Sequence, residues 1–333
     1  MERINPLSEV MAEHNLNYYQ IHNKSSTHQE RLTSSIAPDY GKAVSRMIGE
    51  QYDRLIELKS LKTNDNLKVL EVGPAEGLLA LNILRNLRKE RPEVYKKIEF
   101  HLADFSIHST LKKNLEEFEQ DGKIKIWQHN ITDKLPVKGF HFVIANEVLD
   151  DLPATQATLL NGLVHSYHVE EKRKSQFGEN KSFSLVFRPS PSTELSKINS
   201  YVIRHGLKLE EKSWPIIYFG VEKALKNFSS AMAPHGALFL MDYMNDSSHR
   251  KGIWEELGER GPSVNYTAPL DLTSVKSIAL KNGFNHLWQG RLSDVLSKHD
   301  VHSLSADKEI RDFEGPILGL PYYAMLFSKP GKK

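Results

Sequence analysis

Short apolar runs of strand length alternate along this chain with stretches whose apolar residues recur at helical spacing. The polar stretch up to about Asn64 reads as helical, with Val44, Met47, Ile48, Leu55 and Leu58 spaced through Ala43–Leu61. Leu67–Val72 (LKVLEV) then predicts a strand, Gly73–Gly77 a turn and Leu78–Leu87 a helix. The alternation repeats, with strands expected at Ile98–Ala103, Ile124–Trp127, Phe140–Ala145 and Gly236–Asp242. Helices are expected over Ser109–Glu119 and Gly220–Met232, and two late strands at Phe284–Gln289 and Tyr322–Phe327. Several runs are apolar along their whole length, which suits strands covered on both faces. The pattern predicts an α/β fold: a mostly parallel seven-stranded sheet with helices on both sides.

One segment breaks the rhythm. Val164–Glu170 and Ser182–Phe187 flank the polar stretch EEKRKSQFGENK and predict a hairpin, followed by a Pro/Ser break and a helix near Leu195–His205. The expected organisation is an N-terminal helical extension (1–64), a core (65–154 and 215–333) and an insertion (155–214) for a substrate or partner.

Composition narrows the class. Lys and Arg total 44 against 42 Asp and Glu, a net charge of +2 in 333 residues, so no charge excess points to nucleic acid or a membrane surface. The absence of cysteine excludes disulfides, thiolate nucleophiles and cysteine-ligated metals. No apolar run approaches the roughly 20 residues that cross a bilayer. The N-terminus lacks both a signal-like apolar segment and the acid-poor composition of a transit peptide, so a cytoplasmic protein is expected rather than a mitochondrial one. The pairs His165/His168 and His299/His302 have a possible metal spacing without a metal motif, and no metal is expected.

Chemistry concentrates at strand ends. Glu71-Val72-Gly73-Pro74-Ala75-Glu76-Gly77 joins a strand to a helix, a junction that leaves backbone N–H groups facing a ligand. A dinucleotide fingerprint would need glycine at Ala75 and Leu78, and a P-loop would need Lys-Ser/Thr after Gly77. What survives is E-x-G-x-x-x-G, the first motif of class I S-adenosylmethionine-dependent methyltransferases, although any tight strand-to-helix turn also fits. The next strand ends at Asp104, an acid placed to accept hydrogen bonds from a ribose diol. Asn130 and Ile131, after the third strand, would lie beside an adenine ring.

The segment Ala145-Asn146-Glu147-Val148-Leu149-Asp150-Asp151-Leu152-Pro153 resembles the strand-tip motif of the MidA family, which includes the mitochondrial complex I assembly-factor methyltransferases. Similar elements extend the likeness: Asn17-Tyr18-Tyr19, Ala37-Pro38-Asp39-Tyr40-Gly41, Gly236–Tyr243, Pro269–Val275, Gln289-Gly290 and Leu318-Gly319. Ala75 stands where the family has its middle glycine, Asp104 where it usually has Glu, and Met244 where it has Gly.

The resemblance implies a Rossmann-like class I methyltransferase fold and methylation of an arginine side chain of a protein. Glu71, Gly73, Ala75, Gly77, Asp104, Asn130, Ile131 and Asn146 would hold S-adenosyl-L-methionine. Glu147 and Asp150 would position the acceptor, with Asp242 and Tyr243 lining its pocket, and Gly73→Val would clash with the donor. A small-molecule O- or N-methyltransferase and a non-catalytic assembly factor remain open at this point. A protein partner is expected, without nucleic acid or membrane insertion.

Overall fold

A computed structural model describes residues 3–22, 38–173, 181–211, 213–245, 267–301 and 322–331. The chain opens with β1 (Arg3–Pro6), α1 (Leu7–His22) and α2 (Pro38–Glu57). The alternating core follows as β2 (Leu67–Val72), α3 (Leu78–Glu90), α4 (Pro92–Lys97), β3 (Ile98–Asp104), α5 (Leu111–Asn114), α6 (Glu116–Gln120), β4 (Ile124–Gln128) and β5 (Phe140–Asn146). Next come β6 (Thr155–Leu160), β7 (Leu163–Arg173), β8 (Lys181–Pro189) and α7 (Ser192–His205). The remainder is β9 (Ile216–Ile217), α8 (Phe219–Ala231), β10 (Met232–Asn245), β11 (Leu270–Asp271), α9 (Leu272–Lys281), β12 (Asn285–Arg291), α10 (Leu292–Lys298) and β13 (Tyr322–Ser328).

The main sheet runs β12-β13-β10-β5-β2-β3-β4, with the two-residue β11 added beside β10. The five strands from β10 to β4 are parallel, and β13 and β12 close the edge antiparallel. Period-two alternation splits the strands between two apolar layers. Val72, Val143, Ala145 and Leu240 face α8 and α9, whereas Val69, Phe142, Ile144 and Phe239 face α2 and α3. Burial on both faces explains the uninterrupted apolar runs. The chain builds outward from β2 through β3 to β4, then returns to lay β5 on its other edge. The crevice of such a sheet lies beyond the carboxyl ends at that reversal.

The insertion is more than the expected hairpin. Asn161 and Gly162 both have positive φ, 50° and 77°, and make the two-residue turn that joins β6 to β7. One edge of β7 pairs with β6 over 163–166 and with the N-terminal β1 over 168–171, while β8 covers the other edge. The N-terminal stretch is therefore not wholly helical, and its first strand completes an antiparallel sheet built from the insertion. The predicted helix over Ser109–Glu119 is two short helices that meet at Leu115.

Candidate active site

The turn after β2 depends on three alternate departures from ordinary backbone. Gly73, Ala75 and Gly77 have φ of 65°, 47° and 78°. Glycine occupies that region without steric cost, but alanine does so at roughly 1–2 kcal/mol. A Cβ on Gly73 would lie 2.2 Å from Val148 Cγ2, and one on Gly77 would lie 2.5 Å from Leu111 Cδ1. The glycines thus let the turn approach the strand-tip segment and α5. A side chain added by Gly73→Val therefore also meets Val148 of the same chain. Conversely, Ala75→Gly should raise stability by about 0.5–1 kcal/mol, once the added freedom of the unfolded glycine is subtracted. Denaturant unfolding checks it; an unchanged or lower midpoint would contradict strain at Ala75.

Two acids flank this turn. Asp104 ends β3, and burial pushes its carboxyl up to about 6, opposed by N–H groups of Ser106, Ala75 and Phe105. Its bond to Ala75 braces the turn. Glu71 is 2% exposed, and its Oε2 has no hydrogen-bond partner. Burial, followed by the nearby charge of Asp104, pushes the Glu71 carboxyl up to about 8. A buried carboxylate oxygen without a donor is costly, and a cationic ligand would relieve that cost.

The tip of β5 carries the other half of the site. Glu147 has φ of 52° and its N–H reaches Met241 O at 2.8 Å. Its half-buried carboxylate accepts from the Tyr322 hydroxyl at 3.0 Å (Oε2) and from Asn146 Nδ2 at 3.3 Å (Oε1). Asn146 Oδ1 in turn accepts from the Tyr40 hydroxyl at 2.8 Å. Tyr243 packs on Tyr322 with ring centroids 4.0 Å apart, close to the expected pocket-lining position.

The structure separates the two acids expected to act together. Asp150 is buried and hydrogen-bonded to Asp242, and both carboxyls are pushed up, mainly by burial and then by the surrounding acids. Such a pair is held together by a shared proton. Asp242 is fully buried: its Oδ2 accepts from Val148 and Leu149 N–H at 3.2 and 2.9 Å, and Oδ1 from Tyr243 N–H at 2.8 Å. Asp242 thereby holds the turn that presents Glu147, and Asp150 lies buried against it.

Asn130 and Ile131 also have local tasks. Asn130 is exposed and turns its Oδ1 onto the N–H and hydroxyl of Thr132, both at 2.9 Å. Ile131 is buried in the core beside α8, where Asn227 Nδ2 donates to its carbonyl at 3.0 Å. Among the histidines, His165 stacks on Phe187, His168 lies 3.4 Å from Glu194, and His299 pairs with Glu50. His302, Ala37 and Leu318-Gly319 lie outside the described residues. No helix among the described residues is long and apolar enough to cross a membrane.

Sequence reasoning missed Tyr40 and Tyr322 as site residues. Tyr40 stood within a family-like motif and Tyr322 at the start of a predicted strand, but neither position reveals its hydrogen-bond partner.

Comparison with known proteins places this geometry. The chain matches a COG1565 superfamily member from Burkholderia thailandensis bound to S-adenosyl-homocysteine, with 17% identity, TM-score 0.66, and coverage of 99% of this chain and 89% of that one. A native structure of a COG1565 superfamily protein from the same organism matches at 16% identity and TM-score 0.69, covering 99% and 88%. Both likenesses concern the fold, which is that of class I methyltransferases. No curated protein sequence matches the chain. Residues 47–258 match the family model described as "Putative S-adenosyl-L-methionine-dependent methyltransferase". The chain belongs to this family of S-adenosyl-L-methionine-dependent methyltransferases.

Proposed function

We propose that this methyltransferase transfers the methyl group to a nitrogen of an arginine side chain in a protein. The observation that carries the reading is Glu147, a carboxylate that accepts from Tyr322 and Asn146 at the tip of β5. The resemblance of its segment to the MidA motif points the same way. A guanidinium pairs with a carboxylate through two parallel N–H bonds, which fix its plane and draw its charge away from the attacking nitrogen. With a side-chain pKa above 12, arginine is not deprotonated by a carboxylate, so Glu147 serves by orientation and electrostatics.

S-adenosyl-L-methionine is the cofactor of the family, and the residues present fit it. The unpartnered Glu71 oxygen suits an ammonium group, and the Gly73–Gly77 turn and Asp104 suit the adjoining nucleoside. When bound, the cofactor supplies an electrophilic methyl group on a sulfonium. Glu71 must be ionised to pair with the ammonium, and burial opposes that ionisation.

A pH dependence follows. Between the usual glutamate value near 4.3 and about 8, folded Glu71 binds a proton that the unfolded chain has released. Stability of the ligand-free protein therefore falls as pH rises through that window, at up to about 1.4 kcal/mol per pH unit from this group. Glu71→Gln should remove one proton's worth of slope in urea titrations between pH 5 and 8. An identical slope in the variant would refute the raised carboxyl.

The substrate reading is tested by incubating the chain and labelled methyl donor with a cell lysate, then sequencing modified peptides by mass spectrometry. Methylarginine is the expected product. Label confined to small metabolites, or to other side chains, would overturn the assignment.

A further inference from the structure

We infer that the cleft between α7 and α8 is a docking site for an acidic stretch of the acceptor protein. This rests on reading a protein as the acceptor. The cleft has a volume of about 870 Å³, at the upper end of the range for ligand pockets. One stripe of each helix walls it, and the first turns of α1 also line it.

Its lining carries more positive than negative charge. Lys197 and Arg204 come from α7 and Lys223 and Lys226 from α8, against the acids Glu9 and Glu222. Both acids are already matched. Glu9 lies 3.4 Å from Lys197, while Glu222 pairs with Arg204 and lies 2.9 Å from His205 Nε2. Among the described residues no carboxylate pairs with Lys223 or Lys226, which stand one turn apart on the same wall. The cleft therefore offers two uncommitted cations to an anionic partner.

The spread of these charges selects the occupant. Lys197 and Arg204 are two turns apart, about 10 Å along the axis of α7, and both side chains are half exposed. A compact anion needs polar groups that converge on one point in a largely enclosed pocket. Here the cations are strung along two helices and stay in contact with water. An extended chain advances about 3.3 Å per residue, so acids two residues apart on one face can meet successive cations.

The cleft also lies where an acceptor protein would be held. α8 ends where β10 begins, so its first turns lie toward the carboxyl end of β10, the edge of the sheet that carries Glu147. Gly220 fastens that end of α8 to the strand-tip segment: its N–H donates to Pro153 O at 2.8 Å, and a Cβ there would lie 2.6 Å from Leu152 Cβ. Pro153 lines the cleft and closes the segment that presents Glu147. The chain between them spans at most about 22 Å at full extension. An acidic stretch in the cleft thus leaves neighbouring residues of the same acceptor within reach of Glu147.

The probe is a fluorescein-labelled hexaglutamate peptide, titrated with the full chain at low salt and followed by anisotropy. Lys223→Gln/Lys226→Gln should weaken binding about tenfold, the upper range for two exposed charge contacts. Lys112→Gln/Lys113→Gln removes the same charge from exposed positions of α5, whose Leu111 packs in the opposite layer, and should change binding by no more than about twofold. In lysate labelling, the cleft variant should need several-fold more acceptor protein for half-maximal rate, with the plateau rate and S-adenosyl-L-homocysteine affinity unchanged. Absent peptide binding, or equal weakening by both double variants, overturns the inference. Tighter binding of inorganic triphosphate than of the peptide, measured by displacement, would mark a compact-anion site and overturn it as well. So would an unchanged acceptor requirement in the cleft variant. A chain that methylates protein arginine yet ignores hexaglutamate loses the cleft alone. Label confined to small metabolites defeats the acceptor reading and the docking role together.

Discussion

Glu147→Gln is expected to lower methyl transfer by about 10²–10³-fold, the range seen when one preorganised electrostatic partner is lost. The substitution keeps the shape of the side chain and can still accept from Tyr322, so the turn should survive. Binding of S-adenosyl-L-homocysteine should be nearly unchanged, because in the proposed arrangement the cofactor rests on Glu71 and the glycine turn rather than on Glu147. The split matters more than the loss. Transfer that falls while ligand affinity holds identifies a group acting on the acceptor, and a parallel fall in both would signal general damage. Radiolabel incorporation and titration calorimetry on the same preparation give the two numbers.

Asp242→Ala should be the most destabilising single change at the site. It removes the acceptor for three backbone N–H groups, those of Val148, Leu149 and Tyr243, at a fully buried position. Each buried donor left unmatched costs about 1–3 kcal/mol. Relief of the acid pair offsets part of this, because Asp150 no longer faces a second carboxyl. A net loss of roughly 3–5 kcal/mol is expected, enough to unfold a marginal domain. Asp242→Asn retains one acceptor oxygen and imitates a protonated acid, so about 1 kcal/mol is expected there. Thermal and urea unfolding compare the two variants; equal, small effects would mean that Asp242 does not hold the turn.

The parallel strands were legible because each is buried on both faces. The runs at Leu67–Val72, Ile98–Ala103 and Phe140–Ala145 carry that burial openly, and the observed strands begin at the same residues. The β6 strand escaped notice because its composition, TQATLL, mixes polar and apolar residues, although Asn161-Gly162 was a usable hairpin signal. The pairing of β1 with β7 joins distant parts of the chain and leaves no local trace.

The site divides along the same line. The glycine turn and the acids beside it are local features, legible as a motif within a few consecutive residues. Glu147 and Asp150 look equivalent in sequence, three residues apart in one acidic segment. Their difference is set by Asp242 and Tyr322, which arrive from β10 and β13. Tyr40 likewise reaches Asn146 from a helix far upstream. Which carboxylate is presented and which is buried is decided by tertiary contacts, so residue type alone could not settle it.

The central claim is that the cofactor lies across the carboxyl ends of β2, β3 and β5, with its ammonium on Glu71 and its reactive end toward Glu147. A crystal structure of the full chain with S-adenosyl-L-homocysteine tests it directly. The account predicts that Glu71 Oε2 gains its missing partner from the ligand's amino group and that the sulfur faces the Glu147 side of the crevice. A ligand bound elsewhere, or one that leaves Glu71 untouched, would contradict it.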